Sequence, residues 1–179
     1  TLKVEEENRN QLTFGAGVSQ YDGVFGQLSF QTANFMGRGE SLTVSVQVGS
    51  RAENYQLAFT EPFLFDRSIT GGFDVYKRTL RYIDQFTQES TGGNLSMGVP
   101  LRNFSRMFFT YSYENVRVSE LNPYYNNPLL LAQNPYLADS LLLGVGGKRT
   151  ISKVTPQFVH NTIDNPIFPN VGRRVTASI

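Results

Sequence analysis

The chain has 179 residues, the length of one ordinary domain, and carries 16 Lys and Arg against 15 Asp and Glu. A net charge of +1 argues against a nucleic-acid binder, which needs a clustered basic excess. The absence of cysteine excludes disulfides, thiolate metal sites and a cysteine nucleophile. No apolar run is long enough for a membrane-crossing helix. With 14 Phe, 9 Tyr and 16 Gly but only 17% charged residues, two classes fit: a soluble β protein, or an outer-membrane β-barrel whose apolar residues alternate.

The opening TLKVEEENRN is charged from Lys3 onward, holds no signal peptide, and reads as the start of a mature or excised segment. From there the apolar period is two. In the first predicted strand Leu12, Phe14, Ala16 and Val18 share one face; Gln11, Thr13, Gly15, Gly17 and Ser19 share the other. GVFGQLSFQT follows with a less clean pattern. Next, Leu42, Val44, Val46 and Val48 oppose Ser41, Thr43, Ser45 and Gln47, and Tyr55, Leu57 and Phe59 oppose Gln56, Ala58 and Thr60. Ile69, Phe73 and Val75 then oppose Thr70, Asp74 and Tyr76, while Leu95, Met97 and Val99 oppose Asn94, Ser96 and Gly98. Met107, Phe109, Tyr111 and Tyr113 oppose Phe108, Thr110, Ser112 and Glu114. SKVTPQFVHNTI and RRVTASI complete nine predicted strands, and Pro156 within the eighth suggests a bulge or a strand start.

Strong turn chemistry marks 34–40, 61–67, 100–105 and 164–174, after strands two, four, six and eight. The other connections are a tight YDG at 21–23, a short SRAEN at 50–54, and two long loops near 79–90 and 117–150. A short helix is expected around Leu129–Leu131 in the last of these. Short turns at one end and longer loops at the other is the asymmetry of outer-membrane barrels. The polar strand positions are mainly Ser, Thr, Gln, Asn and Gly. That composition suits the lumen of a wide barrel with its Leu/Val/Phe face on lipid, more than a soluble barrel whose outer face carries many Lys and Glu. Nine strands, with the chain ending inside the ninth, are expected to be the first half of a larger barrel, because bacterial barrels use even numbers.

Few constellations carry chemistry. His160 is the only histidine, which excludes a multi-histidine metal site. Paired with a nearby serine it would resemble a hydrolase dyad, but no G-x-S-x-G elbow is present and a histidine satisfied by its strand neighbours is the simpler reading. GVGGKRT at 144–150 fails as a phosphate loop, having Leu142 where the first glycine belongs and Arg149 after Lys148. Glu5, Glu6 and Glu7 read as a solvated strand end. Asp164, Asn165, Pro166 and Gly172 read as turn makers, and Arg173 and Arg174 are placed to meet lipid phosphate or Asp164. Glu61 and Pro62 end a strand, and the FLF at 63–65 suits either a headgroup-level aromatic anchor or packing against a periplasmic domain.

NFMGRGE after strand two, TEPFLFD closing strand four and NTIDNPIFPNVGRRV around strand eight resemble the BamA-type outer-membrane assembly factor family. The opening TLKVEEENRNQLTFGAGVSQYDG is similar to that family's passage from its last periplasmic POTRA domain into the first barrel strand. The resemblance covers essentially the whole chain. It implies an all-β, antiparallel transmembrane β-barrel, of which this chain is about the first eight to nine strands of 16. Residues 1–8 would end the last POTRA domain or form its linker, and 9–179 would be the N-terminal half of the barrel.

It further implies a bacterial outer-membrane location and a non-enzymatic insertase for outer-membrane β-barrel proteins. The implied client-binding gate strand is Leu12, Thr13, Phe14, Gly15, Ala16, Gly17, Val18 and Ser19. Gly15 and Gly17 would weaken that strand and leave its lumen side open, or simply make room for neighbouring side chains. The implied partners are client proteins, the lipid bilayer, periplasmic chaperones, accessory lipoproteins and the remaining half of the barrel. No cofactor, metal or nucleic acid is expected. The alternatives are a related protein-translocation pore and a soluble β-barrel binding module.

Overall fold

The computed structural model describes residues 10–20, 22–102, 104–133, 147–164, 167 and 170–179. The expected POTRA end at 1–8 lies outside them. Nine antiparallel strands run in chain order across one sheet: β1 (Asn10–Ser19), β2 (Gly23–Phe35), β3 (Glu40–Gly49), β4 (Ala52–Glu61), β5 (Thr70–Tyr82), β6 (Phe86–Pro100), β7 (Ser105–Ser119), β8 (Lys148–Asn161) and β9 (Arg174–Ser178). All nine predicted strands are present. The expected helix is there as α1 (Pro128–Gln133).

The period-two pattern produces this sheet because successive side chains point to opposite faces. Cross-strand registry then gathers like with like. Leu12, Phe30, Val44, Leu57 and Val75 form one row over β1 to β5. Two residues along the ladders, on the same face, lies the row Phe14, Leu28, Val46 and Tyr55. The opposite face carries the row Gln11, Gln31, Thr43, Ala58, Asp74, Asn94, Ser112 and Lys153. Within it Asn94 Nδ2 donates to Asp74 Oδ2 at 2.8 Å.

The burial is inverted relative to a water-soluble domain. Among the described residues only Ala52, Val116 and Val118 are buried hydrophobics, whereas Leu12, Phe14, Val44, Leu57, Val75 and Leu95 are exposed on the apolar face. Thr32, Thr79, Thr87 and Ser90 are buried instead. An apolar face exposed over so many strands is a surface to be covered, by lipid or by other protein.

Two expectations need correction. The long loop near 79–90 is absent: β5 and β6 pair without interruption from Thr70↔Gly98 to Tyr82↔Phe86, leaving a turn at 83–85. The asymmetry of short turns and long loops therefore rests on the connection 120–147 alone. The other connections at that end, 20–22, 50–51 and 83–85, are shorter than 36–39, 62–69, 101–104 and 162–173 at the opposite end. The first set is called the loop end below, and the second the turn end.

Pro156 also starts nothing and bulges nothing, since Phe109↔Pro156 sits in an unbroken β7–β8 register. Its carbonyl accepts from Ile179 N at 3.4 Å. A residue's carbonyl and nitrogen point to the same side of a strand, so the missing donor faces the β9 side and costs β7 nothing.

Candidate functional site: the edge strand β1

β1 pairs with β2 through ten consecutive positions, Asn10↔Thr32 to Ser19↔Gly23, and forms an edge of the described sheet. Half of its backbone N–H and C=O groups therefore face away from β2, spaced to accept another strand. The structure places the whole expected set, Leu12 to Ser19, in this one strand. Leu12, Phe14, Ala16 and Val18 are exposed on the apolar face, with Phe14 83% exposed.

The polar face of β1 is not open. A Cβ on Gly15 would stand 3.2 Å from Gln27 Nε2, and one on Gly17 would stand 3.1 Å from the Phe25 ring. These glycines accommodate side chains of β2, which favours the second reading offered for them above. Ser19 has a local task as well. Its hydroxyl donates to Asp22 Oδ2 and accepts from Asp22 N, both at 2.8 Å, and so closes the β1–β2 turn. Residues 10–17 thus hold the free length of the edge, and 18–19 hold the hairpin.

The remaining candidates resolve into structural roles. Ser105 Oγ lies 2.8 Å from His160 Nδ1, the two being register partners at the turn end. The sequence contained the histidine, but only the β7–β8 register identifies its serine. A hydrolytic pair also needs a group orienting the second imidazole nitrogen and donors aimed at an oxyanion. Among the described residues no hydrogen bond to His160 Nε2 occurs. Nor do three His, Asp or Glu side chains there gather to hold a metal ion.

Asp164 Oδ1 accepts from Asn170 N and Val171 N at 3.1 and 3.2 Å, and Gly172 takes a φ of 110°, so both act as turn makers. Asn165 and Pro166 lie outside the described residues, as do 144–146 of the glycine-rich segment. Lys148, Arg149 and Thr150 begin β8.

The Omp85 superfamily domain matches residues 34–179. The outer membrane protein assembly factor BamA of Neorickettsia risticii (strain Illinois) is 25% identical over 173 residues, covering 96% of this chain and 22% of that protein. The protein of the same name from Neisseria meningitidis serogroup B is 24% identical over 127 residues, 68% of this chain and 16% of that one. The chain therefore spans about a fifth of the length of the curated relatives it matches. In structure it is similar to the crystal structure of BamA from Haemophilus ducreyi lacking POTRA domains 1–3, with a TM-score of 0.62 and 15% identity over 97% of this chain and 34% of that one. An antiparallel sheet with its apolar face outward, matched along most of its length, places this chain in the bacterial outer membrane as a BamA-type member of the Omp85 superfamily.

Proposed function

We propose that residues 9–179 form the N-terminal half of a 16-stranded barrel that folds and inserts other outer-membrane β-barrel proteins, with β1 as its lateral gate. The observation that carries this reading is the sheet itself: nine antiparallel strands in chain order with one apolar face, β1 standing first among them along Asn10–Ser19, where the closing strand of a completed barrel would pair. A free row of N–H and C=O groups templates an incoming strand by β-augmentation. In lipid each unsatisfied backbone group costs several kcal/mol, so a client strand gains most by entering already paired. The exposed side chains Leu12, Phe14, Ala16 and Val18 present that edge at the level of the hydrocarbon. Strand exchange of this kind breaks no covalent bond and needs no nucleotide.

Its partners on this reading are the client barrels, the surrounding lipid, the strands that complete the barrel, and the periplasmic chaperones and lipoproteins that deliver clients. Residues 1–8 connect it to a periplasmic POTRA domain.

The test is disulfide crosslinking in the full-length protein, with single cysteines at positions 12 to 19 against a stalled client carrying cysteine in its C-terminal strand. The segment has no cysteine of its own to confuse the readout. Crosslinks that advance in fixed register along 12–17 are expected. Capture of the client only from lumen-facing positions of β4 to β7 would instead indicate a translocation pore.

A further inference from the structure

The four connections at the turn end share a chemistry that neither the sheet nor the gate strand requires. Each sets a large exposed apolar side chain two residues from an arginine: Met36 with Arg38, Phe65 with Arg67, Phe104 with Arg102, and Val171 with Arg173. Met36, Phe65 and Phe104 are 79%, 82% and 75% exposed. All three also adopt the left-handed backbone conformation, with φ of 57°, 59° and 60°. Bulky side chains seldom take that conformation, and here it recurs at three successive turns.

The arginines are equally distinctive. Arg38, Arg67, Arg102 and Arg173 are exposed, and their guanidinium groups make no hydrogen bond or ion pair among the described residues. At the loop end two arginines are held by the protein itself. Arg51 Nη1 donates to the Gln20 carbonyl at 2.7 Å, and Arg81 Nη2 donates to Glu53 Oε1 at 2.8 Å. The acids near the turns are largely engaged elsewhere. Glu61 Oε1 accepts from Phe63 N at 3.0 Å, Asp164 Oδ1 accepts two backbone N–H groups, and Glu40 is buried and engaged by a side-chain hydrogen bond with Glu61. Asp66 stands exposed beside Arg67.

We propose that this rim binds the anionic headgroups of the phospholipid leaflet bordering the turns, each apolar side chain seated at the acyl boundary and each guanidinium on a phosphate. Guanidinium pairs with phosphate oxygens through two parallel hydrogen bonds, and an apolar side chain next to a cation is the composition of a bilayer-interface anchor. Phospholipid is the occupant because the rim continues the lipid-facing wall. Val99, Met107 and Phe158 form one register row of that wall immediately before the turns. The inference rests on the outer-membrane setting and does not depend on the gate.

The experiment uses the full-length protein in phosphatidylcholine bilayers doped with spin-labelled phosphatidylglycerol or spin-labelled phosphatidylcholine. The wild type is expected to gather the anionic lipid at its surface severalfold over the zwitterionic one. The combined Arg38→Gln, Arg67→Gln, Arg102→Gln, Arg173→Gln variant should bring the two level, while Arg149→Gln at the loop end should leave the preference intact. Arg67→Gln and Arg102→Gln alone should each remove part of it, which keeps the test available if the combined variant does not insert. A wild type without preference, or a preference that survives these substitutions, overturns the proposal.

Discussion

Gly23 shows what a single residue does for the edge strand. Its φ of 71° is left-handed, and a Cβ there would collide with Ser50 Oγ. Gly23→Ala should therefore destabilise the β1–β2 hairpin by about 1–2 kcal/mol. The measurement is amide exchange at Gly17 and Ser19, whose N–H groups face β2, and it should quicken by roughly tenfold while β5 to β7 stay unchanged. Asp22→Ala removes the hydrogen bond that Oδ2 accepts from Ser19 Oγ, keeps the one donated by the backbone N of residue 22, and should loosen the turn by about 0.5–1 kcal/mol. The two β1 glycines are expected to differ under the same assay. Gly15→Ala meets the flexible end of Gln27 and should be tolerated, whereas Gly17→Ala must shift the Phe25 ring and should disturb the pairing of β1 with β2.

Strand lengths carry a second lesson, at the scale of the element. β5, β6, β7 and β8 continue beyond the apolar rows toward the loop end, where the outward positions become Lys77, Thr91, Asn115 and Thr150. There the outward positions are polar as well, so hydrophobic alternation fades while the backbone ladder goes on. That is why the segment from 79 to 90 reads as a loop in sequence and is a hairpin in the fold. Its turn gives little warning either, because the left-handed residue is Asp84 and no glycine is present. Pro156 belongs to the same scale. Since its nitrogen faces the β9 side, Pro156→Val should leave the β7–β8 register intact and either preserve or slightly raise heat resistance on a gel-mobility assay. Loss of that register would show that the proline shapes the strand after all.

For the whole molecule, the decisive property is which face of the sheet meets lipid. Cysteines placed singly at 55 to 59 and spin-labelled should alternate, with 55, 57 and 59 relaxed by oxygen dissolved in lipid and 56 and 58 by a water-soluble nickel complex. A substitution on the outward face should be costly in the same pattern. Leu57→Arg should cost about 2–4 kcal/mol of bilayer stability, as for a cation near the midplane of a barrel, and Gln56→Arg on the inward face should cost little. A soluble barrel would reverse the labelling pattern, because its apolar face would be sealed from both relaxing agents.

The strand count, the order of faces and the outward placement of apolar residues were all legible in the sequence. Side-chain direction along a strand has a period of two, and lipid on one side with a polar interior on the other imprints that period on the residue types. Residues 12 to 19 were legible as a strand for the same reason. What the register decided lies beyond any local pattern. It set Ser105 against His160, covered Gly15 and Gly17 with Gln27 and Phe25, and continued β5 into β6 through Tyr82↔Phe86. It also aligned four arginine-bearing turns along one rim. Such pairings join residues distant in the chain, and only the folded ladder fixes which of them meet.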